Sequence, residues 1–190
     1  MHDIEPFFGW EKHYRPNDDD RSPFFEVEYN TMAYENTIYG YYIHPYWDYI
    51  ESETLYLKVL WADYDQGYVI IEFLGEWNDT LHNDIMFLKR NVLDAMTREG
   101  INKFILIGEQ VMNFHGTSED DYYAEWFEDV EDGWIAALNF RDHVLQEWQR
   151  YALDNYINFG GTLDILNWRT YTPQVLSAHV NSLIMRRLGA

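Results

Sequence analysis

The sequence predicts an α/β fold: N-terminal antiparallel strands followed by four βα units with a mainly parallel sheet. Three observations predict it. Prolines fall at 6, 16, 23, 45 and 173, so Tyr46–Thr172 contains none, and an irregular start precedes a regular body. Apolar runs early in that body are rich in β-branched and aromatic residues. From Thr80 onward such runs alternate with segments of 3.6-residue period. Repeated strand–helix units with short links require right-handed crossovers and a parallel sheet covered by helices.

The elements follow in order. Pro16–Pro23 brackets a polar, acidic run that reads as a boundary, giving an irregular arm over 1–23. A Tyr-rich β-hairpin extension spans 24–53, with strands expected at Phe24–Tyr29 and Thr37–Ile43, and the α/β domain spans 54–190. Leu55–Tyr64 and Tyr68–Glu76 read as strands joined by a turn at Asp65-Gln66-Gly67, where glycine makes positive φ cheap. In Thr80–Glu99 the residues Leu81, Ile85, Leu88, Val92 and Met96 share one helical face, with Lys89, Arg90, Asp94 and Arg98 off it. Asn78, Asp79 or Thr80 can cap that helix, and Gly100 suits its end. Lys103–Ile107 reads as a buried parallel strand and Gly108–Ser118 as a long loop. Ser118 is an expected N-cap, with Glu119, Asp120 and Asp121 in the first turn. Trp134–Phe140 is the next strand and Arg141–Asn158 the next helix, ended by Gly160-Gly161. Its expected buried face is Val144, Leu145, Trp148, Ala152 and Tyr156. Thr162–Trp168 is expected as a strand. Thr172-Pro173 opens a last helix with Val175, Leu176, Val180, Leu183, Ile184 and Leu188 inside.

Composition excludes several functions. Lys and Arg total 13 against 33 Asp and Glu, a formal charge of −20, which opposes binding to nucleic acid or anionic lipid. Apolar residues make up 47 %, enough for a real core. Without cysteine there is no disulfide framework, thiolate metal site or cysteine nucleophile. No basic leader, long apolar run or lipidation motif is present, so a cytoplasmic chain without membrane insertion is expected.

Leu74-Gly75-Glu76 closes a strand before a helix, and Asn113-Phe114-His115-Gly116 lies between the second βα strand and its helix. With the order of elements and the aromatic, acidic helix downstream, these segments resemble the STAS-like superfamily, the anti-sigma-factor-antagonist domains and their SpoIIAA-like relatives. The resemblance runs from Leu55 to Leu188. It implies either a partner-binding regulatory module, switched by phosphorylation at the start of the second helix, or a holder of an amphipathic small molecule. The matching position is Thr117 or Ser118. The usual Asp-Ser-x-Gly context is absent, and phosphate there would face Glu119, Asp120 and Asp121.

Four groups of residues are candidates for function. The first is the loop carrying Asn113, Phe114, His115, Gly116, Thr117 and Ser118, at the strand end where α/β sheets gather ligands; the alternative is an ordinary loop plugged into the core by Phe114. The second is metal ligation by His115 with Glu109, Glu119, Asp120 and Asp121, or by His82 with Asp79 and Asp84; no fixed ligand spacing supports either, and no metal or cofactor is expected. The third is the block Glu119–Asp132, in which eight of fourteen residues are acidic, enough to steer a basic partner. Tyr122, Glu125, Trp126, Glu128 and Asp129 form its acidic–aromatic surface, and the alternative is a solvated helix face. The fourth is Tyr29–Tyr49, with seven tyrosines and a tryptophan in twenty-one residues, interface-like in composition. It could extend a sheet, mediate a homodimer or cover its own strands.

No nucleophile elbow, phosphate loop or dinucleotide fingerprint occurs. The expected function is a non-enzymatic module that recognises a protein partner, with a basic partner as the one the acidic block would steer. The alternatives are a carrier of a small apolar ligand held between the helix from Ser118 and the sheet, and a metal-assisted hydrolase using His115.

Overall fold

The computed structural model describes residues 2–118 and 121–189. Among these residues eight strands form two sheets. The small sheet joins β1 (Asp3–Ile4), β2 (Thr37–Ile38) and β3 (Tyr41–Ile43) in the order β1-β3-β2. The main sheet has the order β4-β5-β6-β7-β8, from β4 (Asp48–Tyr49), β5 (Leu55–Asp63), β6 (Tyr68–Asn78), β7 (Lys103–His115) and β8 (Trp134–Leu138). The β4/β5 and β5/β6 pairs are antiparallel, whereas β6/β7 and β7/β8 are parallel. The sheet is therefore mixed, and the expectation of a mainly parallel sheet holds for its second half only.

Strand alternation sends side chains to two faces. Leu57, Val59, Ile71, Phe73, Phe104 and Leu106 point to one face. There they pack on α2 (Asp84–Leu88), α3 (Asp94–Arg98), α4 (Tyr122–Asp129) and α5 (Asp142–Arg150). The preceding single turn is α1 (Asp79–His82). Ile70, Ile105, Ile107 and Leu138 point the other way, onto α6 (Pro173–Leu188) and the N-terminal arm. Thr172 caps α6 through Val175 N–H at 3.4 Å, as the Thr-Pro signature predicts.

Several expectations are corrected. Phe24–Tyr29 is a turn at residues 24–26 followed by irregular chain rather than a strand: within it Phe24 alone is buried, and Glu26 has a φ of 60°. Thr37–Ile43 is a tight hairpin rather than one strand, because Tyr39 and Gly40 both take positive φ. The 80–99 helix forms, capped by Asn78 and closed by Gly100 at φ +98°, but a left-handed Asn83 breaks its first turn and Lys89–Leu93 is a π-helical stretch. Leu81 is consequently exposed and Lys89 buried, the reverse of the periodic reading.

The loop expected at Gly108–Ser118 is mostly strand. β6 continues to Asn78 and keeps β7 paired as far as Asn78↔His115, with two irregularities absorbing the mismatch. Gly108 serves packing rather than a turn, since a Cβ there would lie 2.4 Å from the Phe140 ring. Asp121, not Ser118, occupies the N-cap position of α4, whose first helical residue is Tyr122. Glu119 and Asp120, expected in that helix's first turn, lie outside the described residues.

α5 stops at Arg150, and Ala152 in the left-handed region turns the chain. Ala152 is exposed and Leu145 and Tyr156 are half-buried, so Val144 and Trp148 carry that helix face. The third βα unit returns to the sheet at one parallel bridge, Ala136↔Asn158. Gly160 and Gly161, with φ of +70° and +58°, then lead the chain away from the edge of β8. Leu163, Ile165 and Trp168 are buried against the α6 side instead of pairing, so the fourth βα strand at Thr162–Trp168 does not form. Val175 and Leu188 of α6 are exposed rather than inside.

Two buried aspartates organise the exit from β6. Asp79 accepts Trp77 Nε1–H at 3.1 Å, Ile85 N–H at 2.9 Å and the Tyr123 hydroxyl at 2.6 Å. Asp84 accepts the Ser52 hydroxyl at 2.6 Å, the Thr54 hydroxyl at 2.8 Å and Asn78 N–H at 2.7 Å. Burial raises the Asp84 pKa, with these hydrogen bonds opposing it. Replacing Asp84 by alanine strands three donors in a dry site. The Asp84→Ala variant is expected to lose about 3 kcal/mol of stability in urea unfolding, far more than substitution of the exposed Glu128.

Candidate functional site

On the second sheet face β5 presents Tyr56, Lys58 and Leu60, and β6 presents Ile70, Glu72 and Leu74. Lys58 and Glu72 face each other in the antiparallel register, and both are buried. Their charges separate two apolar clusters, one beneath α6 and one beneath the small sheet. Buried charges need partners, and both find them in segments laid across the sheet.

Lys58 lies 3.3 Å from Asp48 on β4 and donates to the Tyr29 hydroxyl at 2.8 Å. Tyr29 in turn donates to Asp48. The ammonium sits 4.0 Å from the Tyr29 ring centre and 4.6 Å from that of Tyr46, and these rings stack 4.6 Å apart. Burial pushes Asp48 up to about 6 and lowers Lys58, each opposed by the other's charge. The cluster fastens the Tyr-rich segment to the sheet. Cation–π and charge-assisted hydrogen bonds offset desolvation.

Glu72 accepts Phe7 N–H at 2.8 Å through Oε2 and Gln110 Nε2–H at 3.3 Å through Oε1. Burial pushes it up to about 7; these donors and Arg169 hold it lower, while Glu109 adds repulsion. Glu109 lies on β7 just beyond Ile107↔Leu138, where β8 pairing ends, at the edge where α/β sheets place ligands. It accepts Trp168 Nε1–H at 2.9 Å and Asn139 Nδ2–H at 3.1 Å. Arg169 Nη2 bridges the carboxylates, 2.7 Å from Glu109 and 3.8 Å from Glu72.

The arm covers this pair. The Phe7 ring meets Trp168 edge-on at 4.9 Å and Trp10 at 5.3 Å, and Trp10 donates to Tyr171 O at 2.9 Å. Beside it, a cavity of about 20 Å³ touches Phe7, Tyr14, Tyr46 and Lys58, room for a single water. The arrangement can hold a proton at Glu72 near neutral pH.

Of the sequence-predicted residues, Asn113 donates to Glu76 at 3.2 Å and His115 lies 4.0 Å from the same carboxylate. Phe114 is buried, 6.0 Å from Trp148 and 6.1 Å from Tyr151 between ring centres. Gly116 is packed so closely that a Cβ would meet the Phe114 and Tyr151 rings at 2.6 Å, and its carbonyl accepts the Thr80 hydroxyl at 2.7 Å. Thr117 is half-buried and Ser118 exposed. On α4, Trp126 is fully buried, 5.3 Å from Phe104 and edge-on to it, so it is not part of a surface. Tyr122 accepts from Arg90 at 3.0 Å. Glu125 and Asp129 turn to Lys89 at 3.9 and 2.7 Å, which leaves Glu128 as a freely exposed acid. Tyr123 and Trp126 fill the space between α4 and the sheet that the carrier reading needs open.

The expected metal ligands do not converge. Glu109 is engaged by Arg169 while His115 faces Glu76, and Asp79 and Asp84 are buried in donor networks away from solvent. Glu119 and Asp120, also proposed as ligands, lie outside the described residues. Asp3, Glu5 and His44 do bring donor atoms within 4.8 Å of one another. However, His44 Nδ1 accepts Tyr46 N–H at 3.1 Å, so the neutral ring carries its proton on Nε2 and offers no free lone pair.

Sequence reasoning missed Lys58 and Glu72. The available signal was one charge inside each apolar strand run, LYLKVLW and YVIIEFL.

No family model matches the chain, and no curated protein matches it. Among solved structures it is similar to the anti-sigma factor antagonist SpoIIAA in its unphosphorylated form, with 13 % identity and a TM-score of 0.43 over 70 % of this chain and 97 % of that one. It is also similar to the phosphorylated form of SpoIIAA, the Bacillus cell fate determinant, with 11 % identity and a TM-score of 0.36 over 56 % and 92 %. The likeness is weak. Among the described residues no helix is long and apolar enough to cross a membrane.

Burial of Glu72 fixes a pH dependence. Its folded pKa exceeds the unfolded one, so as pH rises the unfolded chain gives up its proton first. Stability therefore falls between about pH 4.5 and 7 and stays lower above that. The Glu72→Gln variant is expected to lose this component, on the order of 3 kcal/mol, in denaturant titrations compared at pH 4.5 and 8.

Proposed function

We propose that the chain is a protein-interaction module whose docking face is the Tyr-rich surface of the small sheet and the edge of the main sheet. Tyr39, Tyr41, Tyr42 and Tyr49 carry the reading, for each is at least 37 % exposed, and Tyr39 and Tyr49 each line a groove. Exposed aromatics are large contact surfaces with little entropy to lose, and they concentrate at interfaces.

Two grooves flank a ridge made by Ile43 and Tyr56. One, of about 160 Å³, has Ile38 and Tyr39 as apolar wall and Glu53 and Glu76 as rim. The other, of about 280 Å³, has Trp47 and Tyr49 as wall and Glu35 as rim. Glu76 accepts the Tyr39 hydroxyl at 2.6 Å and also meets Asn113 and His115. The Asn113–His115 segment, distant in sequence, thus adjoins the same face.

Grooves of mixed polar and aromatic lining with carboxylates at the rim, on a chain of charge −20, suit an extended basic segment of a partner protein with apolar side chains between its Lys or Arg residues. Charge steers the encounter and the aromatics supply specificity.

A short synthetic peptide of alternating arginine and leucine tests this by calorimetry. The Tyr39→Ser, Tyr49→Ser double variant, one substitution in each groove, keeps the net charge and is expected to bind at least ~10-fold more weakly. Unchanged affinity would mean that Coulomb attraction alone holds the peptide and would sink the assignment. A wild-type dimer in sedimentation that the same variant abolishes would give the face to a second copy instead.

A further inference from the structure

The segment Pro6–Trp10 behaves as a ligand of the sheet. Glu72 is 1 % exposed, and the closest donor to it is a backbone N–H from 65 residues away in sequence. Phe7 and Trp10 insert against Trp168, and the Arg169 guanidinium lies 4.4 Å from the Trp168 ring centre and 5.9 Å from that of Phe7. A carboxylate that takes a main-chain N–H, an aromatic slot and a cation at its lip are the parts of a peptide-recognition site.

The segment is folded upon itself. The Phe7 ring lies over Gly9, where a Cβ would come within 2.2 Å of Cζ. Beyond the slot, the main-chain pairing of the arm is the two-residue strand β1 against Tyr42 and Ile43. Few main-chain bonds tie it to the sheet, so its hold rests on the Phe7 and Trp10 rings, the Phe7 N–H to Glu72 and the Trp10 Nε1–H to Tyr171 O, and its release breaks one short segment's contacts and no helix or long strand.

We propose that Glu72, Glu109, Trp168 and Arg169 form a peptide-binding slot, that the chain's own Pro6–Trp10 occupies it as a displaceable strap, and that the same segment of a second copy can take its place. This slot lies apart from the Tyr-rich face and does not rest on that assignment.

Closing the strap removes Glu72 from water and raises its affinity for a proton, so closure takes up a proton and opening releases one. The charged groups facing Glu72 are Arg169 and Glu109 beside it and Lys58 across the strand pair, the last already neutralised by Asp48. Raising pH through neutrality therefore loosens the strap.

The test uses the full chain and a synthetic peptide of residues 2–12. A Phe7→Ala, Trp10→Ala variant, whose own strap lacks its anchors, should bind the peptide at least ~10-fold more tightly than wild type does, and at least ~10-fold more weakly at pH 8.5 than at pH 6. Adding Glu72→Gln, which keeps an acceptor for the Phe7 N–H but cannot ionise, should remove the pH dependence of peptide binding. Equal binding to wild type and variant, no binding to the variant, or pH dependence that survives Glu72→Gln would overturn the proposal. Should the double variant fail to fold, hydrogen exchange of wild type decides: the protection factor of the Phe7 amide should fall at least ~10-fold relative to that of Ile105 between pH 6 and 8.5. Constant relative protection would overturn the strap.

Discussion

A carboxylate taken out of water must find donors or give up its charge. That constraint shapes this molecule more than any other, because among the described residues of so acidic a chain four acids lie inside: Asp48, Glu72, Asp79 and Asp84. None is satisfied within its own element alone. Asp79 ties the end of β6 to α4 through Tyr123, and Asp84 ties α2 to the Ser52–Thr54 segment. Asp48 joins the edge strand to Lys58 and Tyr29, and Glu72 joins the sheet centre to Phe7. Apolar burial supplies the bulk of the driving force. It is non-directional, however, and the acids select which segments lie over which strands. Loss of any one would leave donors or a charge stranded in a dry place, which costs more than the pairing gains.

Much of the architecture is readable from periodicity, and the failures have physical causes. The Thr172-Pro173 cap and the Asp65–Gly67 turn are local signals and form as local chemistry dictates. Gly108 and Gly160-Gly161 are non-local. The first is small because Phe140 approaches it, and the second steers the chain off the sheet edge rather than ending a helix. Leu163 and Ile165 alternate as strand residues do and Trp168 follows three residues on, yet all three fill the floor under α6. Apolar content says that a residue is buried but not against what, so the fourth strand was unreadable in one dimension. The same ambiguity placed Trp126 on a surface when it lies in the core.

The seam under the arm was legible in principle. A lone Lys58 and a lone Glu72 each interrupt an apolar strand, and opposite charges directly across an antiparallel pair stabilise it. What the sequence could not reveal is that each turns to a third party instead, Lys58 to Asp48 and Glu72 to Phe7. The Asn113–Ser118 segment shows the converse. Its position beside a sheet edge was readable, but Phe114 and Gly116 are spent on packing, while Asn113 and His115 meet Glu76.

The N-terminal residues thus have two faces. Inward, Phe7, Trp10, Tyr29 and Tyr46 cover charges on the sheet. Outward, Tyr41, Tyr42 and Tyr49 stand in solvent. The two are mechanically joined, since β1 leads directly into Pro6 and pairs with β3, which carries Tyr41 and Tyr42. The strap and the small sheet thus share one short connection, through the Ile43 ridge between the grooves. Reciprocity sets the form of any coupling along it: a partner that shifted the strap would change the proton affinity of Glu72 by the same factor by which that proton changed the partner's affinity.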